Sequence, residues 1–293
     1  MPSRASIVIP AYNEETRIRA LLDSLSDPSI RGNYDIYVVC NGCTDRTLQV
    51  AEEYPGVVAV EIDAAGKYLA LNEGDRLAGD VYPRLYCDAD VRISPSSITA
   101  LAEALTVEEV RVAAPSVRYA TEDSTWLVRM FYRAVESPVV TVWLNDHLIG
   151  RGLYGASRAA RRRFDVFPAL LADDLYFELQ FDPSERMILP EAIATTWVPT
   201  NIHQLLRREV RAAEGNRQYL RAPHANDTAD GPAEQRRGQF EPRQRSRMAT
   251  LRRWRRDLRG RDIVPIFVYL GVRITARTIL AVRMTGGRKI HWR

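Results

Sequence analysis

The chain has 293 residues, 46% hydrophobic and 27% charged, which excludes a disordered polymer and is enough for one large domain or a domain with an appendage. Three cysteines, Cys40, Cys43 and Cys87, are too few and odd in number for a disulfide framework and suit a reducing compartment. The net charge of +4 hides an asymmetry: residues 243–293 hold 15 Lys and Arg against Asp257 and Asp262, a net +13, so the first 242 residues carry −9.

Met1-Pro2-Ser3-Arg4 runs straight into the apolar Ala5-Ser6-Ile7-Val8-Ile9 with no h-region before it, so a cytoplasmic protein is expected. That run, closed by Pro10, reads as a buried first strand, and Ala11-Tyr12-Asn13-Glu14-Glu15 as a polar loop. Ile18, Leu21, Leu22 and Leu25 then fall on one helical face. Asp35 to Val39 predicts a second strand, and a helix from about Thr44 to Tyr54 follows it with Thr44 or Asp45 as N-cap. Val57 to Ile62 is a third strand; Gly66-Lys67 opens a helix carrying Leu69, Ala70 and Leu77; Arg84 to Cys87 is a fourth strand. It delivers Asp88-Ala89-Asp90, which in an extended segment places two carboxylates on one side. Such a pair suits a hard divalent cation, since Mg²⁺ takes one or two carboxylates and completes its shell with water and phosphate oxygens; the bland alternative is a solvated turn.

Strands alternating with helices predict an α/β fold, a mostly parallel sheet covered on both faces. Ligands of such sheets sit outside the carboxyl ends of the strands. Pro10 to Glu14, Asn41 to Asp45, Asp63 to Lys67 and Asp88 to Asp90 all lie at carboxyl ends and should line one crevice.

The ordered set Val8-Ile9-Pro10-Ala11-Tyr12-Asn13-Glu14, Asn41-Gly42-Cys43-Thr44-Asp45, Gly66-Lys67 with Ala70-Leu71-Asn72-x-Gly74, and Asp88-Ala89-Asp90 resembles family 2 glycosyltransferases of the GT-A fold, over about residues 1 to 215. The resemblance implies a Rossmann-like catalytic domain and a nucleotide-diphosphate sugar donor. Pro10, Ala11, Tyr12 and Glu14 would meet the nucleoside, Asn41 and Lys67 its base or phosphates, Asp88 the ribose side and the metal, and Asp90 the Mg²⁺ or Mn²⁺ on the diphosphate. Many members carry two aspartates before the glycine of the second loop, where this chain has Cys40-Asn41. The acidic pair Asp173-Asp174, about 85 residues beyond the first, lies where inverting members keep their catalytic base, on the second acid, Asp174. Read without the resemblance, the pair opens a helix whose dipole favours acids, and the choice between them stays open.

Gly150-Arg151-Gly152-Leu153-Tyr154-Gly155 matches a dinucleotide fingerprint. Asn145-Asp146-His147 interrupts the apolar run before it, however, and Pro168 sits where a second strand would be needed. Cys40-x-x-Cys43 at a helix start has redox-pair spacing, with no second pair for zinc. His147, His203, His224 and His291 have no metal-ligand spacing. Ser96 to Leu105 reads as a helix, Val110 to Val117 as a strand, and Ser157 to Phe164 as a helix. Trp126, Met130, Phe131 and Ala134 share a helical face, core or acceptor wall. Thr195 to Val198 reads as a strand, and His203 to Tyr219 as a helix bearing Arg207, Arg208 and Arg211, a solvated face or one that closes on the diphosphate.

Residues 1–222 are thus expected to form the catalytic domain and 223–248 a linker. Residues 249–293 should form a basic amphipathic extension, in which Arg252, Arg253, Arg255 and Arg256 precede the apolar Ile263 to Val272. Arg273 and Arg277 interrupt that block, so no span of about 18 apolar residues is expected. A helix lying on an anionic membrane surface is the favoured reading; packing on the main domain, or on a second copy in a homodimer, is the other. The expected activity is metal-dependent, inverting transfer of a single sugar to a glycan or lipid-linked acceptor in cell-envelope synthesis. The alternatives are a nucleotidyltransferase on a similar sheet and a non-catalytic nucleotide-sugar binder. A nucleic-acid partner is not expected, since the tail holds no recognisable module.

Overall fold

The computed structural model describes residues 4–141, 147–221 and 260–285. The linker assigned to 223–248, Arg252 to Arg256, Asn145, Asp146, His224 and His291 lie outside the described residues. In chain order the elements are β1 (Ala5–Ala11), α1 (Ile18–Leu25), β2 (Tyr34–Asn41), α2 (Thr47–Glu52), β3 (Val57–Ile62), α3 (Lys67–Ala78), β4 (Arg84–Cys87), β5 (Val91–Ile93), α4 (Pro95–Ala104), β6 (Val112–Ala120), α5 (Trp126–Val135), α6 (Pro138–Thr141), β7 (Leu153–Ala156), α7 (Arg158–Arg161), α8 (Asp173–Glu178), β8 (Arg186–Trp197), α9 (Ile202–Arg221) and α10 (Ile263–Thr285).

The chain divides into two compact units, one built of residues up to 120 with 147–197, the other, among the described residues, of 121–141, 198–221 and 260–285. The first holds an eight-stranded sheet in the order β3-β2-β1-β4-β7-β6-β8-β5. Its first half is parallel: β1 pairs with β2 and β4, and β2 with β3. All seven residues of β1 are buried, as its central place in the sheet requires. The chain order runs outward from β1 to β2 and β3 and then returns to β4 on the other side, so β1 and β4 flank a topological switch point, where open α/β sheets bind their ligands.

The second half is mixed. β7 is antiparallel to β4 and β6, β5 is antiparallel to β8, and β6 runs parallel to β8. The strand expected at Thr195 to Val198 is therefore only the end of a twelve-residue strand. Its earlier part, Arg186 to Pro190, carries the apolar Met187-Ile188-Leu189 and pairs with β6. The helix expected over Ser157 to Phe164 is a single turn, α7, capped by the Ser157 hydroxyl, which accepts from the Ala160 amide at 3.3 Å.

Gly74 explains how α3 lies against β1. A Cβ there would stand 2.2 Å from Val8 Cγ1, so only glycine permits this approach. Behind β4, the buried Arg84 and Arg161 both reach Asp75, Arg161 at 2.7 Å, and the Tyr86 hydroxyl donates to Asp75 at 2.8 Å. Arg84 also donates to the Ser6 hydroxyl at 2.7 Å. This charged cluster is sealed by Tyr154, Phe167 and Phe177, whose rings meet Tyr86 tilted or edge-on, and by Phe164, which meets Phe167 and Phe177 edge-on. It fixes the strand that carries the first acidic pair.

The second unit is helical. Ile266 of α10 packs on Ala134 of α5, with the Phe131 and Tyr269 rings 5.2 Å apart. Ala276 and Leu280 pack on Val210 of α9, and Arg273 meets Glu209 at 2.8 Å. The face expected from Trp126, Met130, Phe131 and Ala134 is core only in part: Phe131 and Ala134 are buried, whereas Trp126 is exposed. The apolar block of α10 also does not stop at its arginines. Helix continues through both, and Gly260–Met284 is long and apolar enough to cross a membrane by length and composition. The expectation of a stretch too short to span is corrected on length and composition alone, since the helix runs on past Arg273 and Arg277.

Candidate active site

The first loop is held by the second. Asn41, at the end of β2, is fully buried; its Nδ2 donates to the Ala11 carbonyl at 2.8 Å and its Oδ1 accepts from the Gly66 amide at 3.1 Å. Both ends of the amide are thereby used on backbone, which gives Asn41 a bracing place between β1 and the start of α3. Asn13, in the left-handed region at φ 54°, accepts from the Thr44 amide at 2.8 Å through its Oδ1. The Glu14 amide donates to the Thr47 hydroxyl at 2.8 Å and the Glu15 amide to Asp45 at 3.1 Å. Asp45 also accepts from the Thr47 amide at 3.0 Å, so helix α2 starts later than expected and its acid ties two loops together. Tyr12 sits half-buried in the same loop.

Asp88 and Asp90 do not lie on an extended strand as the spacing suggests. They occupy a turn closed by the Val91 amide donating to the Asp88 carbonyl at 3.2 Å. Ala89 between them is buried while both acids are half-exposed, so the two carboxylates still reach the crevice. Glu14 faces them: burial, then the charge of Asp90, with Arg17 opposing and Asp88 adding, push its carboxyl up to about 7.

Lys67, the first residue of α3, joins this pair to the second. Its Nζ lies 2.8 Å from Asp88 Oδ1 and 2.8 Å from Asp173 Oδ2. Burial disfavours its charge, but Asp173, Asp88 and Asp174 together raise its pKa above the ordinary lysine range. Asp173 also accepts from the Tyr154 hydroxyl at 3.2 Å. Asp174 accepts from two amides, Gly150 and Leu175, each at 2.8 Å. Burial and the neighbouring Asp173 raise its carboxyl to about 6, against the opposing pull of Lys67 and these amides.

The glycine-rich loop closes the site. Gly152, at φ 70°, gives its carbonyl to the Asp88 amide at 2.8 Å, and a Cβ on it would fall 2.5 Å from Val91 Cγ2. Glu178 braces the loop from behind, accepting from the Ile149 amide at 3.2 Å and the Leu148 amide, and paired with His147 and Arg186. The glycines precede an antiparallel strand, β7, rather than following a parallel strand into a helix, so the dinucleotide fingerprint lacks its structure. Gly150 and Tyr154 lie in the glycine motif that the sequence singles out, without the roles their amide and hydroxyl take here, and Glu178 is singled out by nothing. Glu178 carries no motif, and a backbone amide carries no sequence signal at all.

Among the described residues no three His, Cys, Asp or Glu side chains converge as a metal cage. Asp88 and Asp90 fit a hard divalent cation whose remaining ligands come from water and a diphosphate, the way Mg²⁺ is usually held.

The model of glycosyl transferase family 2 matches residues 6–163, just over half of the chain. Among curated proteins, an N-acetylglucosaminyltransferase of Mesorhizobium japonicum is 26% identical over 243 residues, 71% of this chain and 54% of its own length. A dolichol-phosphate mannosyltransferase of Pyrococcus furiosus is 34% identical over 108 residues, 35% of this chain and 30% of its own. The chain thus spans about half the length of the N-acetylglucosaminyltransferase, or less of the mannosyltransferase. A mannosyltransferase from Pyrobaculum calidifontis, solved with GDP-Man and Mn2+, has a similar fold, with TM-score 0.59 and 17% identity over 96% of this chain and 84% of its own.

Proposed function

Because the chain belongs to glycosyl transferase family 2, we propose that its sheet-bearing unit transfers a single sugar from a nucleoside-diphosphate donor to an acceptor hydroxyl, with inversion at the anomeric carbon. The observation that carries this reading is Lys67, at 2.8 Å from an acid of each pair, because it brings the two acidic pairs into one place at the switch point of the sheet. The loop Pro10, Ala11, Tyr12 and Glu14 receives the nucleoside, with Asn41 bracing it. Lys67 offers a fixed positive charge to the diphosphate, where negative charge develops as the glycosidic bond breaks. Asp90 and Asp88 would hold Mg²⁺ or Mn²⁺, which would supply Lewis-acid charge to the same leaving group.

Asp174 is the general base. A carboxyl lifted to about 6 is ionised at neutral pH, yet holds a proton better than an ordinary aspartate, the compromise that general base catalysis favours. The amides of Gly150 and Leu175 orient it. Asp173 is a positioning residue, its carboxylate committed to Lys67 and Tyr154.

N-acetylglucosamine and mannose donors are the first candidates, from the names of the similar proteins. The acceptor is a glycan or lipid-linked glycan of the cell envelope, reached from the cytoplasmic side. The outward stripe Ile263, Phe267, Leu270 and Ile274 on α10, together with the basic tail, suits an anionic membrane surface. A panel of UDP-, GDP- and TDP-sugars with Mn²⁺ tests the donor reading, since a ligand that binds only the native state raises the melting temperature. Stabilisation by one nucleotide class, dependent on metal, is expected; no shift with any donor would overturn it.

A further inference from the structure

We propose that Glu178 is a positioning residue for the transfer: its buried carboxylate fixes the glycine-rich loop so that the Gly150 amide meets Asp174. The inference rests on the reading of Asp174 as general base. Glu178 lies one helical turn beyond Asp174 in α8, on the same side of the helix, and is only 1% exposed. Between them the two carboxylates take three consecutive backbone amides. Leu148 and Ile149 donate to Glu178 Oε2, the latter at 3.2 Å, and Gly150 donates to Asp174 Oδ2 at 2.8 Å. Glu178 Oε1 is occupied too, by Arg186 Nη1 at 3.1 Å and by His147 Nδ1.

The three amides differ in what holds them. Leu148 is buried and Ile149 half-buried, whereas Gly150 is exposed, in the left-handed region at φ 69°. A glycine open to solvent has wide backbone freedom, and water competes for its amide, so its place against Asp174 is set by the two residues before it. The far end of the loop has separate fastenings. The buried Arg151 donates through Nε to the His147 carbonyl at 2.6 Å and through Nη1 to the Pro115 carbonyl at 3.0 Å, and the Gly152 carbonyl accepts from the Asp88 amide at 2.8 Å. Losing the Glu178 carboxylate therefore releases the Gly150 end, beside the base, more than the Gly152 end, beside Asp88.

That release matters to the base itself. Each Asp174 oxygen holds one amide, Oδ1 that of Leu175 and Oδ2 that of Gly150, which fixes the plane of the carboxylate and leaves each oxygen a lone pair for the acceptor proton. Without Gly150 the carboxylate is free to turn, and the rate depends steeply on its alignment. Burial and Asp173 hold the Asp174 carboxyl at about 6 against the pull of Lys67 and of the Gly150 and Leu175 amides. A donor to the ionised form favours that form, so withdrawing Gly150 moves the carboxyl further up.

The test uses the full chain, isotopically labelled at its aspartate carboxyls, with the Asp174 signal assigned by its absence from Asp174→Asn. Glu178→Gln, close to glutamate in shape, is expected to raise the Asp174 titration seen by NMR by about half a pH unit or more. An unmoved titration would overturn the proposal whatever the melting temperature does, since a purely structural role lowers stability without touching that proton. This measurement needs no donor. Turnover is followed as nucleoside diphosphate released from UDP-N-acetylglucosamine or GDP-mannose with Mn²⁺. Here kcat should fall at least about tenfold with the donor KM within about threefold of wild type, and the same substitution in Asp174→Asn should cost nothing further, because residues acting as one unit are not additive. A further loss in that background would also overturn the proposal and leave the base reading intact. A raised titration with wild-type kcat would instead remove Asp174 as the base, and the proposal with it. Where Glu178→Gln does not fold, Glu178→Asp, which draws the charge back by one methylene, takes its place: a raised titration with lower kcat supports the proposal, and a wild-type titration overturns it.

Discussion

The two acidic pairs reach one crevice under opposite constraints. Asp88, on an open turn after β4, leaves 40% of its side chain exposed, whereas Asp173, at the head of α8, leaves 6% and is locked by Lys67 and Tyr154. The first pair sits where an incoming ligand can replace water and take over a carboxylate. In the second, Asp173 is built into the protein against a half-buried lysine and a phenol, while the half-buried Asp174 is held by two backbone amides. The contrast teaches that a site binding a charged group must leave its carboxylates accessible, whereas one tuning a proton affinity must shield them.

Asp90→Asn gives the largest expected effect: turnover close to abolished and metal-dependent nucleotide binding weakened, because an amide cannot neutralise a cation on the diphosphate. Titration of metal with a nucleoside diphosphate by calorimetry checks it, and unchanged metal dependence would break the contrast at its exposed end. Asp174→Asn comes next, lowering kcat by at least about a hundredfold while donor affinity stays close to wild type. Asp173→Asn should cost less in kcat and more in folding stability, about 1 to 3 kcal/mol for a compromised buried polar group. Steady-state kinetics and melting curves of the two variants settle which acid is the base. If Asp173→Asn is dead and Asp174→Asn active, the roles are reversed.

The pH profile sharpens the same difference. A base must be ionised, and Asp174 titrates at about 6, so kcat should hold above that pH and fall roughly tenfold per unit below it. Glu14, raised to about 7, is separated by measuring Glu14→Gln under saturating donor; the limb near 6 should persist. A limb near 4 instead would mean that the second pair is not shielded as its contacts imply.

The smallest effect lies away from both pairs. Deleting the tail would remove Ile266 and Ala276 from the helical core, so the clean variant is Phe267→Ser with Ile274→Ser, both outward-facing. It should reduce flotation with anionic liposomes and leave kcat on a water-soluble acceptor unchanged. The basic residues contribute about 1 kcal/mol each near an anionic bilayer, so high salt should weaken flotation further. Salt-independent flotation would remove the electrostatic part of the reading.

The sequence by itself determined the parallel half of the sheet and the loops at its carboxyl ends. Each of those strands is a short apolar run, from Ile7 to Ile9, Ile36 to Val39 and Leu85 to Cys87, followed at once by its polar loop, and that local pattern does not depend on distant partners. The family resemblance added roles to positions already placed. Tertiary structure alone decided the rest. It made β8 a twelve-residue strand, because pairing along β6 carries Arg186 to Leu189 into the sheet across a register shift, and it gave Arg273 of α10 its partner Glu209. It also chose the partners of Lys67. Asp88 and Asp173 lie 85 residues apart in the chain, and only the packing of α3 against β1, allowed by a glycine at 74, brings one ammonium within reach of both.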